Sequence, residues 1–304
     1  MTPVEQEIVP HEEGAQAAIG RIPILADGRG EWAVSSLPSF TNRTFRIARE
    51  DEAFVLRLPG RGTERYIDRR AEAANARAAA AIGLSPEIVF ADPRRGVMLS
   101  RFVGGADPLS PARLRRNGEL SVTVAMLRRL HHSGLAFRGH MRLYPKLDEY
   151  LGLAAAPALA LLRREGEKLR PILESGWGPA RPCHIDPAPH NFIVAGRQRY
   201  LVDWEYSAMC EPLWDLAGLS IEGEFDAGQD VEMLAAYFGK TERVWASRLH
   251  LYKIMLRLLA AAWGVVQLAD GNGPAEIADL VERLTLRVQA DLGAADLAGH
   301  IEAA

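Results

Sequence analysis

Alternating apolar and polar positions predict strands in the first third of the chain. Residues 43–48 (RTFRIA) and 53–58 (AFVLRL) alternate in this way, and successive side chains of a strand point to opposite faces of its sheet. The polar run between them is typical of a turn. Two more strands are predicted at residues 87–91 (EIVFA) and 97–103 (VMLSRFV), with Asp92-Pro93 in the connection. This part of the chain therefore predicts a small sheet.

Helical spacing dominates elsewhere. Residues 68–82 contain strong helix formers and stop at Gly83, a residue suited to the end of a helix. Further helices are predicted over residues 112–132, over residues 147–174 with breaks at Pro157 and Pro171, and along the apolar stripe from Leu249 to Val266. A β-like insert, 191–195 followed by 199–203, interrupts this helical part. A strand-rich part is thus joined at residues 102–106 to a mostly helical part, and clefts between two such parts often bind small ligands.

Charge and cysteine content exclude several functional classes. The 304 residues include 36 Lys+Arg and 39 Asp+Glu, a formal net charge of −3, which lacks the basic excess of a nucleic-acid-binding protein. Cys183 and Cys210 are too few for a disulfide scaffold or a four-cysteine metal site. The opening residues lack the basic start and apolar run of a signal peptide, and the most apolar window, residues 254–269, is too short to span a bilayer. We therefore expect a cytoplasmic protein that neither binds nucleic acid nor inserts into a membrane.

Three polar residues near the β-like insert have the spacing of a phosphoryl-transfer site. Asp186 and Asn191 stand five residues apart in CHIDPAPHN, as in the kinase catalytic loop. Asp203 comes at the end of the next predicted strand, where kinases carry a magnesium-binding aspartate. A carboxylate and an amide oxygen suit Mg²⁺, so Asp203 and Asn191 are candidate metal ligands. Asp186 would then orient the acceptor hydroxyl and take its proton.

Other interpretations of the polar residues remain open on the sequence alone. Asp186 and Asn191 also fit simple turn hydrogen bonds next to the prolines. His184 is expected to hold the loop by packing and hydrogen bonding rather than to transfer a proton. Asp215 is expected to hydrogen-bond the catalytic region or to cap a helix. For the pair His131-His132, compensation of the charge at a helix C-terminus is favoured over metal binding.

Two segments resemble the paired motifs of the choline/ethanolamine kinase family: CHIDPAPHNF (183–192) and YLVDWEYSAMCEPLWDLAGLS (200–220). The N-terminal segments SFTNRTFRI and FVLRLPGRGTE are similar to the same family in order and position. That family belongs to the aminoglycoside-phosphotransferase-like kinases. The resemblance, which spans about residues 35–270, therefore implies an α+β fold of the two-lobed protein-kinase type. The expected lobes are a small antiparallel-sheet N-lobe, residues 1–103, and a larger, mostly helical C-lobe, residues 104–304.

The resemblance also implies roles at the nucleotide end of the site. Arg57 would contact the nucleotide phosphates, and Glu72 on the next helix would be its ion-pair partner. From the residues alone, both are explained equally well as solvated charges. Thr41 and Asn42 match the turn that covers the phosphates. The preceding Pro38-Ser39-Phe40 replaces glycines that relatives usually carry, and glycine lets a backbone approach phosphate closely.

The implied reaction transfers the γ-phosphate of ATP, with Mg²⁺, to the hydroxyl of choline or ethanolamine. A quaternary ammonium is bound by aromatic faces with a carboxylate nearby, and we expect Trp204, Glu205, Tyr206 and Trp263 to supply them. Core packing is the alternative for Trp204 and Trp263. A second magnesium is the alternative partner of Glu205.

Two other functions stay open at this point. One is a kinase of another hydroxylated small molecule, such as an aminoglycoside or thiamine, because pocket shape sets the acceptor. The other is a catalytically silent nucleotide-binding protein, which the missing glycines favour and the retained Asp186, Asn191 and Asp203 oppose. The expected partner is a small alcohol acceptor, and a homodimer is the candidate assembly.

Overall fold

An antiparallel sheet forms the N-terminal part of the chain. The computed structural model describes residues 11–26, 30–39, 41–116, 118–175, 178–272 and 275–304. The sheet has five strands in the order β1-β2-β3-β5-β4. These are β1 Ala33–Leu37, β2 Arg43–Arg49, β3 Glu52–Leu58, β4 Ile88–Asp92 and β5 Val97–Arg101. The four predicted strands are confirmed as β2 to β5, whereas β1 was not predicted because AVSSL is an edge strand without apolar alternation.

One face of this sheet is buried because the strand residues alternate. Phe45 of β2, Phe54 and Leu56 of β3, and Leu99 of β5 are each at most 2% exposed. Helix α1 (His11–Ile19) contacts β1 and contributes to the same cluster. The intervening side chains point the other way, and among them Arg57 lines the cleft described below.

The helix α2 (Arg69–Ala81) confirms the helix predicted over residues 68–82. Asp68 caps its N-terminus, since its Oδ1 accepts the N–H groups of Arg70 and Ala71. Its buried Ala76 and Ala79 belong to the large hydrophobic cluster of the C-terminal part. Small side chains allow this close packing, so α2 connects the sheet to the rest of the molecule.

Helices make up most of the chain after the sheet. They are α3 Pro111–Leu114, α4 Glu119–His131, α5 Leu143–Leu153, α6 Pro157–Glu165, α7 Arg170–Glu174, α8 Pro212–Glu222, α9 Ala227–Phe238, α10 Arg243–Ala269, α11 Ala275–Leu292 and α12 Leu297–Ala303. The single helix predicted over residues 112–132 is wrong, because Gly118 at φ +83° separates α3 from α4. The breaks predicted near Pro157 and Pro171 are confirmed. Each proline stands in the first turn of a new helix, where its missing N–H leaves no bond unmade.

The long helix α10 is the centre of the C-terminal part. It contacts α5, α8, α11 and α12, and its buried apolar residues belong to the large cluster. By length and composition it could cross a membrane, so the sequence estimate of a shorter apolar segment was too low. However, 72% of its apolar window is buried inside the protein, which is typical of a core helix.

Two small antiparallel sheets lie between the helices. One contains β6 Asp107–Pro108, β8 Phe192–Ala195 and β9 Gln198–Leu201 in the order β6-β8-β9, and the other pairs β7 Arg181–Cys183 with β10 Ala208–Cys210. The predicted β-like insert is confirmed as β8 and β9. The result is an α+β fold with an antiparallel N-terminal sheet and a mostly helical remainder, as predicted. The lobe boundary between residues 103 and 104 stays a prediction.

Candidate active site

A buried carboxylate holds the loop between β7 and β8. Asp215 of α8 is fully buried, and its two oxygens accept the backbone N–H groups of His184 at 2.8 Å and Ile185 at 2.7 Å. Ile185 has φ +75°, a conformation that costs a β-branched residue on the order of 1–3 kcal/mol. The indole N–H of Trp214 donates to the Ile185 carbonyl at 3.0 Å. These bonds maintain the strained turn next to Asp186, and the structural role predicted for Asp215 is confirmed.

Two buried histidines support the same loop. Nε2 of His131 lies 3.0 Å from Oδ2 of Asp215, and its Nδ1 lies 2.8 Å from the Tyr237 hydroxyl. His131 therefore pairs with a carboxylate rather than compensating the charge at a helix end. Nε2 of His184 donates to the Val202 carbonyl at 2.9 Å. Burial lowers the pKa of His184, so it is a neutral packing group, as predicted.

Asn191 is hydrogen-bonded to Asp186 through its side-chain amide. Nδ2 of Asn191 donates to the carbonyl oxygen of Asp186 at 2.9 Å and to its Oδ2 at 3.3 Å. Burial raises the pKa of Asp186 to about 7, and the negative charges of Glu222 and Glu205 contribute to the increase. A carboxyl with this pKa can accept a proton near neutral pH. Because Nδ2 is used in this way, Oδ1 is the atom that Asn191 offers to a cation.

Asp203 lies two residues beyond β9 rather than at a strand end, and its backbone is left-handed at φ +63°. Its Oδ1 is buried and has no hydrogen-bond partner among the described residues, an arrangement that is costly unless a ligand satisfies it. Burial and Glu205 raise the pKa of Asp203, while Arg57 opposes the change. Asp203 and Asn191 line the same cleft. Together they offer oxygen ligands only, which fits Mg²⁺.

The ion pair expected at the nucleotide end is present. Nη1 of Arg57 lies 2.8 Å from Oε1 of Glu72, and both side chains are buried. Nη2 of Arg57 donates to the carbonyl oxygen of Gly96 at 3.3 Å. These contacts hold the guanidinium at the cleft wall and argue against two solvated charges, although its contact with phosphate stays a prediction.

Glu205 is bound by residues of the N-terminal part. Its Oε2 lies 2.9 Å from Nη1 of Arg69, accepts Nδ2 of Asn42 at 2.9 Å, and lies 3.5 Å from Nη1 of Arg57. The Thr41 hydroxyl donates weakly to Oε1 at 3.4 Å. Glu205 is therefore not the free carboxylate that the sequence interpretation assigned to an acceptor cation. It connects the segment that carries Asp203 to the turn at Thr41 and Asn42.

The turn at Thr41 and Asn42 is held closely by a glycine that lies elsewhere in the chain. A Cβ on Gly60 would stand 1.8 Å from the carbonyl oxygen of Thr41, so only glycine fits there. The Ser39 hydroxyl donates to the Asn42 carbonyl. Phe40, part of the segment that replaces the expected glycines, lies outside the described residues. A close backbone approach thus occurs at Gly60, beside the turn.

The predicted residues line one cleft of about 860 Å³, and aromatic side chains are part of the same lining. The indole N–H of Trp263 donates to the Tyr206 hydroxyl at 3.1 Å, and Tyr150 lies beside Tyr206. Burial raises the pKa of Tyr206, so its hydroxyl stays protonated. These rings present aromatic surface to the same space as Asp186.

Trp204 has a different environment from Tyr206 and Trp263. It is only 3% exposed, and its indole N–H donates to the Ser85 hydroxyl and the Leu201 carbonyl, both at 3.1 Å. Its ring packs edge-to-face on His184, with centroids 4.7 Å apart. The packing alternative describes Trp204 better than the open aromatic face expected of an acceptor-binding residue.

The sequence interpretation missed Tyr150 and Glu222, which line the cleft, and Arg69, which lies outside its lining but pairs with Glu72 and Glu205. Arg69 stands three residues before Glu72, a helical ion-pair spacing that could have indicated it. Tyr150 and Glu222 carried no such signal, because they reach the cleft through the packing of α5 and α8.

The sequence model of the phosphotransferase enzyme family matches residues 34–251. The chain belongs to this family. This phosphotransferase is 35% identical to a choline/ethanolamine kinase family protein from Mesorhizobium loti, whose crystal structure superposes with a TM-score of 0.82 over 96% of this chain and 98% of that one. Protein LicA of Haemophilus influenzae is 27% identical over 254 residues, which cover 78% of this chain and 74% of LicA.

Two further solved structures have the same fold. Choline kinase LicA from Streptococcus pneumoniae is 23% identical, with a TM-score of 0.78 over 92% of this chain and 98% of that one. A structure of LicA in complex with AMP is 24% identical, with a TM-score of 0.79 over 91% and 98% of the two chains. The predicted two-lobed kinase-like fold and the predicted family are both confirmed.

Proposed function

We propose that this phosphotransferase transfers the γ-phosphate of ATP to the hydroxyl of a small amino alcohol, choline or ethanolamine, with Mg²⁺ as cofactor. The observation that carries the proposal is that Asp186, Asn191 and Asp203 line the same cleft as the aromatic side chains of Tyr206 and Trp263. The similarity to the Mesorhizobium loti protein and to LicA supports this acceptor class.

Each polar residue has a separate task in the proposed reaction. Asp186 orients the acceptor hydroxyl and accepts its proton, for which a pKa of about 7 is suited. Asn191 holds Asp186 through its Nδ2 and, with Asp203, would bind the metal. When bound, Mg²⁺ neutralises the phosphate oxygens and helps to align the transferred group. Arg57, paired with Glu72 and close to Glu205, adds a fixed positive charge to the cleft wall.

The acceptor end favours a cation without strong hydrogen-bond donors. Aromatic faces attract an ammonium group at about 0.5–2 kcal/mol per ring, and Tyr206 and Trp263 both line the cleft. Tyr150 lines it too, but Nζ of Lys146 already lies 4.9 Å from the centroid of its ring. Glu222 adds a carboxylate to its lining. An alcohol bound with its ammonium at this end would direct its hydroxyl towards Asp186.

An acceptor panel tests the proposal. The purified protein is given ATP, Mg²⁺ and, in separate reactions, choline, ethanolamine, an aminoglycoside and thiamine, and phosphate esters are detected by mass spectrometry. Turnover of choline or ethanolamine is expected. Turnover of another alcohol alone would show that the acceptor is wrong, and thermal stabilisation by ATP without any product would indicate a silent nucleotide-binding protein.

Two variants separate the proposed roles. Asp186→Asn should lower turnover about 10³-fold or more while ATP binding is largely retained, because the proton acceptor is lost. Asp203→Ala should weaken binding of the magnesium–nucleotide complex itself. Asp148→Asn is the matched control, since Asp148 is exposed and pairs with Arg163. Normal turnover by Asp186→Asn would show that its role is wrongly assigned.

We further propose a cytoplasmic location for this reaction. The proposal relies on the two cysteines, which are both buried free thiols, as is usual in a reducing compartment. Fractionation of cells that express the protein, followed by immunodetection, tests it. Recovery in a membrane or secreted fraction would contradict it.

A further inference from the structure

Arg69 is a buried cation to which the proposed reaction gives no task. Its side chain is 8% exposed. Nη1 lies 3.0 Å from Oε2 of Glu72 and 2.9 Å from Oε2 of Glu205, and Nη2 donates to the Thr63 hydroxyl at 2.8 Å and to Oδ1 of Asn42 at 3.4 Å. A guanidinium with this many directed bonds has one fixed position.

Arg69 and Arg57 together form ion pairs with Glu72 and Glu205. The nearest carboxylate to Arg57 is Glu72 at 2.8 Å, and its distance to Glu205 is 3.5 Å. Arg69 lies closer to Glu205, at 2.9 Å. Arg69 is thus the main cationic partner of Glu205, and Arg57 is left beside Glu72 at the cleft wall.

Without these two arginines, the cluster would be a cation site. Carboxylate oxygens of Glu72, Asp203 and Glu205 all lie within 4.8 Å of one another. Three carboxylates at this spacing attract a divalent cation strongly. With Arg57 and Arg69 in place, two of the three negative charges are neutralised, and Asp203 keeps the oxygen that has no partner among the described residues.

We propose that Arg69 is a positioning residue that keeps Glu205 out of metal coordination. The guanidinium holds Glu205 against Asn42, so a divalent cation is confined to Asp203 and Asn191, where it can also contact nucleotide phosphates. The inference relies on the proposed function only in taking Asp203 and Asn191 as the metal ligands. In this arrangement Glu205 connects the two parts of the cleft, and Arg69 fixes the position of the Glu205 carboxylate.

Binding of Mn²⁺ to the nucleotide-free protein tests this inference without any turnover. Free Mn²⁺ is measured by electron paramagnetic resonance for wild type and for Arg69→Met, which keeps the length of the side chain but removes its charge. Loss of one charge this close to a cation site should tighten Mn²⁺ binding about tenfold. Adding Glu205→Gln to Arg69→Met should return the affinity to the wild-type value.

Two further variants control for charge and folding. Arg70→Met removes a positive charge from the neighbouring, exposed position and should leave Mn²⁺ affinity unchanged. Arg69→Lys retains the charge but loses the fork, so it should tighten binding about threefold, and it serves as the test if Arg69→Met does not fold. Unchanged or weaker Mn²⁺ binding in the folded Arg69 variants would overturn the inference.

The outcome is independent of the acceptor panel. Tighter Mn²⁺ binding without turnover of any alcohol would support the role of Arg69 and reject the kinase proposal. Turnover of choline with unchanged Mn²⁺ affinity in the Arg69 variants would support the kinase proposal and reject the role of Arg69.

Discussion

The carboxylate of Asp215 accepts the backbone N–H of Ile185 at 2.7 Å, and Ile185 is held at φ +75°. The second oxygen of Asp215 accepts the N–H of His184 and lies 3.0 Å from His131. A fully buried anion thus stabilises an unfavourable backbone conformation. The backbone conformation of Ile185 in turn sets the position of Asp186, which directly follows it in the chain.

Asp215→Asn should destabilise the protein by about 2–4 kcal/mol and lower kcat at least tenfold, since an amide cannot accept all three bonds and leaves a buried donor unpaired. The melting temperature and kcat with saturating substrates check this. Asp226→Asn is the control, because Asn also serves at the N-cap position that Asp226 occupies on α9. Equal effects of the two substitutions would contradict the role of Asp215.

Asp186→Asn should stabilise the metal-free, nucleotide-free protein increasingly as pH rises. The pKa of Asp186 is raised from 3.8 to about 7 in the folded state, so folding favours the neutral carboxyl. The stability from this preference is complete below the unfolded pKa and is lost as pH rises through about 7. The Asp186→Asn variant has an amide at this position, which does not ionise between pH 4 and pH 8.

In EDTA, the melting temperatures of Asp186→Asn and wild type should therefore nearly coincide at pH 4. At pH 8 the variant should melt about 2–6 °C higher, which corresponds to about 1–2 kcal/mol. A difference that stays constant from pH 4 to pH 8 would show that Asp186 ionises normally.

Gly60→Ala should damage the turn at Thr41 and Asn42, for which we propose contact with the nucleotide phosphates. The new Cβ would stand 1.8 Å from the carbonyl oxygen of Thr41, which must move. We expect KM for ATP to rise about tenfold and stability to fall by about 2 kcal/mol. Gly104→Ala is the matched control, since its Cβ would meet no atom within 4 Å. Unchanged nucleotide affinity in Gly60→Ala would separate this turn from ATP binding.

Trp263→Phe should affect the acceptor more than the nucleotide. The substitution removes the indole N–H that donates to the Tyr206 hydroxyl at 3.1 Å and shrinks the aromatic surface. KM for the acceptor should rise about fivefold, with KM for ATP unchanged. Trp245→Phe is the control, because Trp245 stacks on Phe238 outside the cleft lining. A change in KM for ATP alone would contradict the proposed contact of Trp263 with the acceptor.

The segment with Asp186 and Asn191 was predictable because the spacing that identifies it is local. Asp186 and Asn191 are five residues apart, and the bond from Asn191 Nδ2 to Asp186 forms within one short loop. The strands β2 to β5 were predictable for a similar reason, since alternation is a property of consecutive residues. Where a local rule met an exception, as at Gly118 between α3 and α4, the prediction was wrong.

The ion-pair cluster of Arg57, Arg69, Glu72 and Glu205 could be recognised only in the tertiary structure. Arg69 and Glu205 are 136 residues apart and meet at 2.9 Å, and no spacing rule connects them. Trp204 and Trp263 look alike in the sequence, yet one is packed on His184 and the other donates to Tyr206 at the cleft. The amino-acid order by itself determined the family, the strand and helix pattern of most elements, and the three residues of the proposed chemistry. Folding decided which carboxylates are neutralised and which stay available, because the energy of a charge depends on its distance from distant partners and on its burial.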